Sequence, residues 1–170
     1  SSIKEQADRA SLKLADEKGP CPDAKDYGVK ERFSNKIAIA PTASISIICG
    51  GASPGIEPIA ANSFTQKTLS GSFNVRNVHL KKLLIEKGKD TESVWSSITI
   101  NKGSVQHLDF LNESEKATYR TAFEIDQRRV IELAGDRTPF VCQSQSLNIF
   151  LKPDVHKRDL HNIHFSAWKQ

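Results

Sequence analysis

The residues from Ile37 to Pro58, IAIAPTASISIICGGASPGIEP, gather the groups best suited to hold an anion. Four apolar or small residues, Ile37 to Ala40, meet Pro41. Thr42, Ala43, Ser44, Ile45 and Ser46 then crowd hydroxyls and small side chains together ahead of Ile47, Ile48, Cys49, Gly50 and Gly51. The pattern predicts a buried strand that ends at the proline and turns into a short apolar helix. Backbone N–H groups at a helix start lack an intrahelical acceptor, and the helix dipole favours negative charge there. The hydroxyls of Thr42, Ser44 and Ser46 would add donors without bulk, so the chemistry that suits this stretch is phosphate binding. It has no P-loop lysine, which argues against Walker-type nucleotide hydrolysis. An ordinary strand-to-helix turn with a hydroxyl cap uses the same residue types and, on the residues alone, is the commoner case.

Other chemistry-bearing residues are less organised. His161 and His164 stand three apart with Asp159 near, yet no HExxH and no second ligand pair accompanies them; helix-face histidines are expected and no metal site is assigned. Cys142 precedes Gln143-Ser144-Gln145-Ser146 with no readable Cys/His/Asp set around it, so a buried structural thiol is expected. Cys21, Cys49 and Cys142 are odd in number, widely spaced and without CxxC, which suggests neither a disulfide framework nor a zinc site. A reducing cytoplasm is the expected compartment. No catalytic residue is assigned.

The elements that must position the loop follow from periodicity and stop signals. Ile3, Ala7, Ala10 and Leu14 step by four, three and four between charged residues, an amphipathic helix that Gly19 and Pro20 stop. Residues 21–36 read as a loop with one helical turn around Lys30 to Phe33, leading into the Ile37 strand. Ala60 to Val75 reads as extended chain with a turn at Ser70-Gly71. Asn77 caps a helix carrying Leu80, Leu83 and Leu84 that ends at Gly88, and Glu92 to Ile100 forms another, closed near Gly103. The longest helix is expected from Asn112, with Glu115 completing a capping box, to about Arg137 before Pro139. Tyr119, Phe123, Val130 and Leu133 form its stripe, into which Asp126 or Gln127 intrudes and must find a partner. Ser146 to Leu151 reads as a strand, and Leu160, Ile163, His164, Ala167 and Trp168 mark a last amphipathic helix. With strands near residues 37–41 and 145–151 among helices, the class is α/β.

At 170 residues with 38% hydrophobic content, the chain suits one domain or a large piece of one. No run of about 18 apolar residues and no signal-peptide pattern is present, so neither membrane nor secretion is indicated. The net charge of +4, from 24 Lys plus Arg against 20 Asp plus Glu, is spread along the chain. A nucleic-acid footprint would be more clustered; a mildly basic surface fits an anionic small substrate, but on charge alone a solvated surface of no special purpose is the commoner case. A first residue of Ser1, the absence of Met and a terminal helix without a stop signal lead us to expect a processed product or a fragment.

The stretch PTASISIICGGASPGIEP closely resembles the substrate-phosphate loop near the C-terminal end of the large (alpha) subunit of class I ribonucleoside-diphosphate reductase. The resemblance continues through TLSGSFNVRN, GSVQHLDFL, AFEIDQRRVIELAGDRTPFVCQSQSLNIFL and HFSAWKQ, nearly the whole chain. It implies the C-terminal portion of that family's ten-stranded α/β barrel with an attached small α/β segment. Residues 36–58 would hold the strand and phosphate loop, 60–151 the small segment and 155–170 a truncated terminal helix. It also implies substrate-diphosphate contacts at Pro41, Thr42, Ala43, Ser44 and Ile45. The implied reaction converts ribonucleoside diphosphates to deoxyribonucleoside diphosphates by radical chemistry. A radical would come from a metal-bearing small (beta) subunit and electrons from a dithiol reductant. The implied partners are the remainder of the alpha subunit, the beta subunit and the substrate, with no nucleic acid and no membrane. The family's radical and redox cysteines match none of the three here, so the isolated chain is expected to be inactive. Many relatives read Asp-Gln-Arg-Trp where this chain has Asp126-Gln127-Arg128-Arg129. A non-catalytic phosphate- or nucleotide-binding module derived from the subunit is the alternative reading.

Overall fold

The computed structural model describes residues 2–50, 52–68 and 71–170; the side chains of Ala43, Ser44, Ile47, Gln66, Lys67 and Thr68 lie outside that description. The chain divides into two compact units. One comprises Ser1–Ala40, Ile131–Leu147 and His164–Gln170, the other Pro41–Val130 and Asn148–Ile163.

In the first unit, helix α1 (Ser2–Lys18) forms where the amphipathic spacing places it, and Gly19, at φ 82°, ends it. Its buried face is rotated from the expected one. Ser11 and Ala15 are buried while Ile3 stays exposed. The reason is polar: Ser11 Oγ donates to Glu31 Oε2 (2.5 Å) and accepts from the N–H groups of Arg32 (3.1 Å) and Phe33 (3.3 Å). Those bonds also explain why the helical turn expected around Lys30 to Phe33 is absent, since its N–H groups are drawn to α1. The turn forms instead as α2 (Pro22–Asp26), with Pro22 at the helix start where no N–H is needed.

The strands expected near 37–41 and 145–151 do not belong to a ladder among the described residues. Both segments run without regular structure, because a strand exists only through a neighbour that takes its N–H and C=O groups. Ile37 O receives one such bond, from Cys142 N–H at 2.9 Å. The N–H groups of Asn148 and Phe150 go to side-chain oxygens of Glu57 (2.7 Å) and Gln127 (2.9 Å).

The second unit contains helix α3 (Ala43–Ile48), strands β1 (Ser63–Thr68) and β2 (Gly71–Arg76), and helices α4 (Val78–Glu86) and α5 (Glu92–Ile100). The extended chain expected from 60 to 75 is an antiparallel hairpin, Ser63 opposite Arg76 through Thr68 opposite Gly71; of the expected turn, Ser70 lies outside the described residues. Asn77 caps α4 by accepting from His79 and Leu80 N–H, as expected. The core joins Leu80 and Leu84 of α4, Trp95 and Ile98 of α5, and Val105, Leu108 and Leu111. Each such aliphatic or aromatic side chain contributes roughly 1.5–3 kcal/mol by burial. Trp95 satisfies its indole N–H on Asp90 (2.7 Å), and the Arg76 guanidinium lies 5.0 Å from its ring centre while pairing with Glu92.

The single long helix expected from Asn112 to Arg137 is three pieces: α6 (Glu113–Thr118), a 3-10 turn (Ala122–Glu124) and helix α7 (Gln127–Arg137). The Asn112/Glu115 capping box starts α6 as expected. A second box, Thr121 with Glu124, begins the new turn, and Ala122 N–H is taken by Ile59 O (2.9 Å), outside any helix. Gln127 is buried and does find its partners: it donates to Ala122 O (2.8 Å) and Ile125 O (2.9 Å) and accepts from Phe150 N–H. Arg129 is exposed. Helix α8 (Lys157–Lys169) closes the order, with Ile163 buried.

Glu124 gives this break a pH signature. Burial alone would raise its carboxyl, but hydrogen bonds from the Ser104 hydroxyl and from Thr121 N–H and hydroxyl outweigh it and hold the group below its ordinary value. A carboxyl lowered in the folded state adds stability above its unfolded pKa, about 4.3, and loses it as pH falls through the folded one. Glu124→Gln should therefore be less stable than the parent at neutral pH, and the difference should shrink on acidification below about pH 4. Urea unfolding at a series of pH values checks it; a difference independent of pH sinks it.

Candidate functional site: the loop at residues 41–46

Pro41 and Thr42 lead directly into α3, the short apolar helix that the sequence predicts. Its first hydrogen bond runs from Ser46 N–H to Thr42 O at 2.8 Å. The N–H groups of Ala43, Ser44 and Ile45 precede it and so have no acceptor within the helix. Cys49 N–H bonds Ile45 O (2.9 Å), and Gly50, at φ 82°, ends the element. Ile45 and Pro41 are exposed, so this helix start faces open space on their side.

Of the three hydroxyls expected to add donors, that of Thr42 has a partner within the chain. Thr42 gives both its N–H (3.0 Å) and its hydroxyl proton (3.1 Å) to Pro54 O. Ser46 is buried, and the side chains of Ala43 and Ser44 lie outside the described residues. Among the described groups, the Thr42 hydroxyl is committed to Pro54 O, and the backbone N–H groups of Ala43, Ser44 and Ile45 precede the first intrahelical bond.

Thr42 is tethered to a bend, and the bend is tethered in turn. Ser53 Oγ donates to Glu57 O (2.8 Å), and Glu57 Oε1 accepts from both the backbone N–H (2.7 Å) and side-chain amide (3.0 Å) of Asn148. Pro54, Glu57 and Asn148 carry no signal of this in hydropathy or periodicity; Pro54 meets Thr42 across 12 positions of chain, and Glu57 meets Asn148 across 91.

His161 and His164 lie on α8 with Asp159, all exposed, and no group of three His, Cys, Asp or Glu among the described residues is placed to hold a metal. Cys142 is exposed, not buried as expected. Hydrogen bonds from the Lys36 and Ile37 backbone N–H groups hold its thiol below the usual range. No described helix is long and apolar enough to cross a membrane.

Residues 23–170 match the family described as ribonucleotide reductase, barrel domain. Over 171 residues the chain is 46% identical to the ribonucleoside-diphosphate reductase large subunit of Invertebrate iridescent virus 6, covering 98% of this chain and 18% of that protein. The large subunit of Invertebrate iridescent virus 3 is 44% identical over 170 residues, covering 98% of this chain and 27% of its own length. Among solved structures, the Actinobacillus ureae class Id ribonucleotide reductase alpha subunit matches with a TM-score of 0.81 at 39% identity, over 98% of this chain and 30% of that one. The chain thus spans less than a third of the length of these relatives. Its mixture of helices with a small sheet is consistent with part of an α/β barrel. With the family pattern running from residue 23 to residue 170 and the backbone following a reductase alpha subunit throughout, this chain belongs to the ribonucleotide reductase barrel-domain family.

Proposed function

We propose that this chain works as part of the catalytic large subunit of a ribonucleoside-diphosphate reductase and that Pro41, Thr42, Ala43, Ser44 and Ile45 seat the substrate diphosphate. The observation that carries the reading is the family match over residues 23–170, which includes a helix start with three N–H groups lacking an intrahelical acceptor. Such a seat adds no bond-making chemistry of its own. It fixes the diphosphate so that the ribose is held against a radical supplied by the rest of the enzyme, and orientation of this kind lowers the barrier by removing lost rotational freedom from the chemical step. In this reading residues 36–58 carry the loop, 60–151 the small α/β segment and 155–170 the terminal helix. The partners are the remainder of the subunit and a metal-bearing small subunit that supplies the radical, with a dithiol as reductant, in the cytoplasm.

An exchange tests it. The matching segment of the Invertebrate iridescent virus 6 large subunit is replaced by these 170 residues, and CDP reduction is followed with the small subunit and a dithiol. The chimera should retain kcat/KM within about tenfold, or about 1.4 kcal/mol, while the 170 residues alone give no dCDP. A folded chimera without turnover, or turnover by the segment alone, would overturn the proposal.

A further inference from the structure

Three N–H groups at a helix start are useful to an anion only if the helix is held still. Helix α3 has six residues, too few to hold its own direction, so its placement must come from outside. One tether is Thr42, whose two donors converge on Pro54 O. Pro54 sits in a bend whose far end is Glu57, and the bend is closed by Ser53 Oγ on Glu57 O, with Gly55 N–H 3.5 Å from Ser53 Oγ. Glu57 in turn is fixed by two donors from one residue, the backbone and side-chain N–H of Asn148. A carboxylate with two donors on one oxygen is among the stronger neutral-to-charged arrangements, and it joins segments far apart in sequence.

Gly55 supports the same chain of contacts. Its φ is not in the left-handed region, so the backbone would accept alanine, but an added Cβ would collide with Glu57 Oε2. Any side chain there would force the Glu57 carboxylate to shift.

We propose that Glu57 is a positioning residue for the diphosphate seat, acting through the bend at 53–57 and the Pro54 carbonyl on Thr42. This rests on residues 41–45 being that seat.

The test uses the complete large subunit carrying this segment, assayed with its small subunit on CDP and on cytidine. Glu57→Ala should raise KM for CDP roughly tenfold, equivalent to about 1.4 kcal/mol, with kcat within about twofold and the poor cytidine reaction unchanged. Glu57→Gln keeps an oxygen that accepts from Asn148 and should stay near the parent. Gly55→Ala should reproduce the CDP-selective loss by pushing the carboxylate aside, and Gly55→Ala with Glu57→Ala should be no worse than either alone. Should Glu57→Ala fail to fold, Gly55→Ala decides by itself. An unchanged KM for CDP, equal losses on both substrates, or a Glu57→Gln as impaired as Glu57→Ala would each overturn the proposal. If Ala43→Pro loses efficiency on CDP selectively while the Glu57 and Gly55 variants do not, Glu57's role falls and the seat stands. If Ala43→Pro too is unselective, the seat itself falls.

Discussion

Ala43→Pro in the assembled enzyme should lower kcat/KM for a ribonucleoside diphosphate more than Ser44→Ala does, while the reaction of the nucleoside without phosphates hardly changes. Ala43 is the first residue of α3, and the first helical position tolerates proline because its N–H has no intrahelical acceptor and its φ is already near that of the ring. The helix should therefore persist, and the variant removes one donor. A hydrogen bond from a neutral N–H to a charged phosphate is worth about 1.5–3 kcal/mol, roughly 10- to 100-fold in kcat/KM. The ring also fills space beside the removed N–H, adding a steric loss. Ser44→Ala removes at most one such bond and leaves the backbone donors intact. Steady-state kinetics on both substrates reads the result, and equal losses on diphosphate and nucleoside would mean that the loop is structural.

The second large effect concerns stability. Asn62→Ala should destabilise the second unit by about 2–4 kcal/mol, because one buried amide serves three elements at once. Asn62 is 4% exposed. Its Nδ2 donates to Gly103 O (3.0 Å) and Tyr119 O (2.7 Å), and its Oδ1 accepts from the side-chain amide of the α4 cap, Asn77 (2.9 Å). Alanine leaves those groups without that partner in a dry place. Gly103→Ala should be similarly severe. Gly103 has φ 81°, strained for any side chain, and a Cβ there would overlap Ala61 and come within 2.9 Å of Asn62 N. Urea unfolding of each variant measures the loss; a change below about 0.5 kcal/mol for Asn62→Ala, the range of an ordinary surface substitution, would refute the hub assignment.

How much was legible in the chain depends on how far each signal reaches. Asn77 ahead of α4, the Asn112/Glu115 box ahead of α6 and Gly19 after α1 are decided within one helical turn, and all are where their residue types place them. Glu92–Ile100 is found at both ends. The break between α6 and α7 had local signals too, the Thr121/Glu124 box and an Asp126 whose carboxylate accepts from Arg128 N–H, but an apolar stripe through Phe123 and Val130 masked them. Phe123 in fact turns to meet Phe150 edge-on at 5.4 Å between ring centres.

The sequence by itself determined the family, the short helix after Pro41 and the start and stop of most helices, because these depend on residue types in fixed local order. Only the tertiary structure decided which face α1 buries, since Ser11 is drawn inward by Glu31, Arg32 and Phe33 against its own polarity. It also decided that 37–41 and 145–151 do not pair as strands among the described residues, that Thr42 turns its donors to Pro54, and that Glu57 reaches Asn148. The physical reason is common to all of these: a hydrogen-bonding group takes whichever partner folding brings to it, and when that partner lies tens of residues away nothing in the neighbouring sequence records the choice.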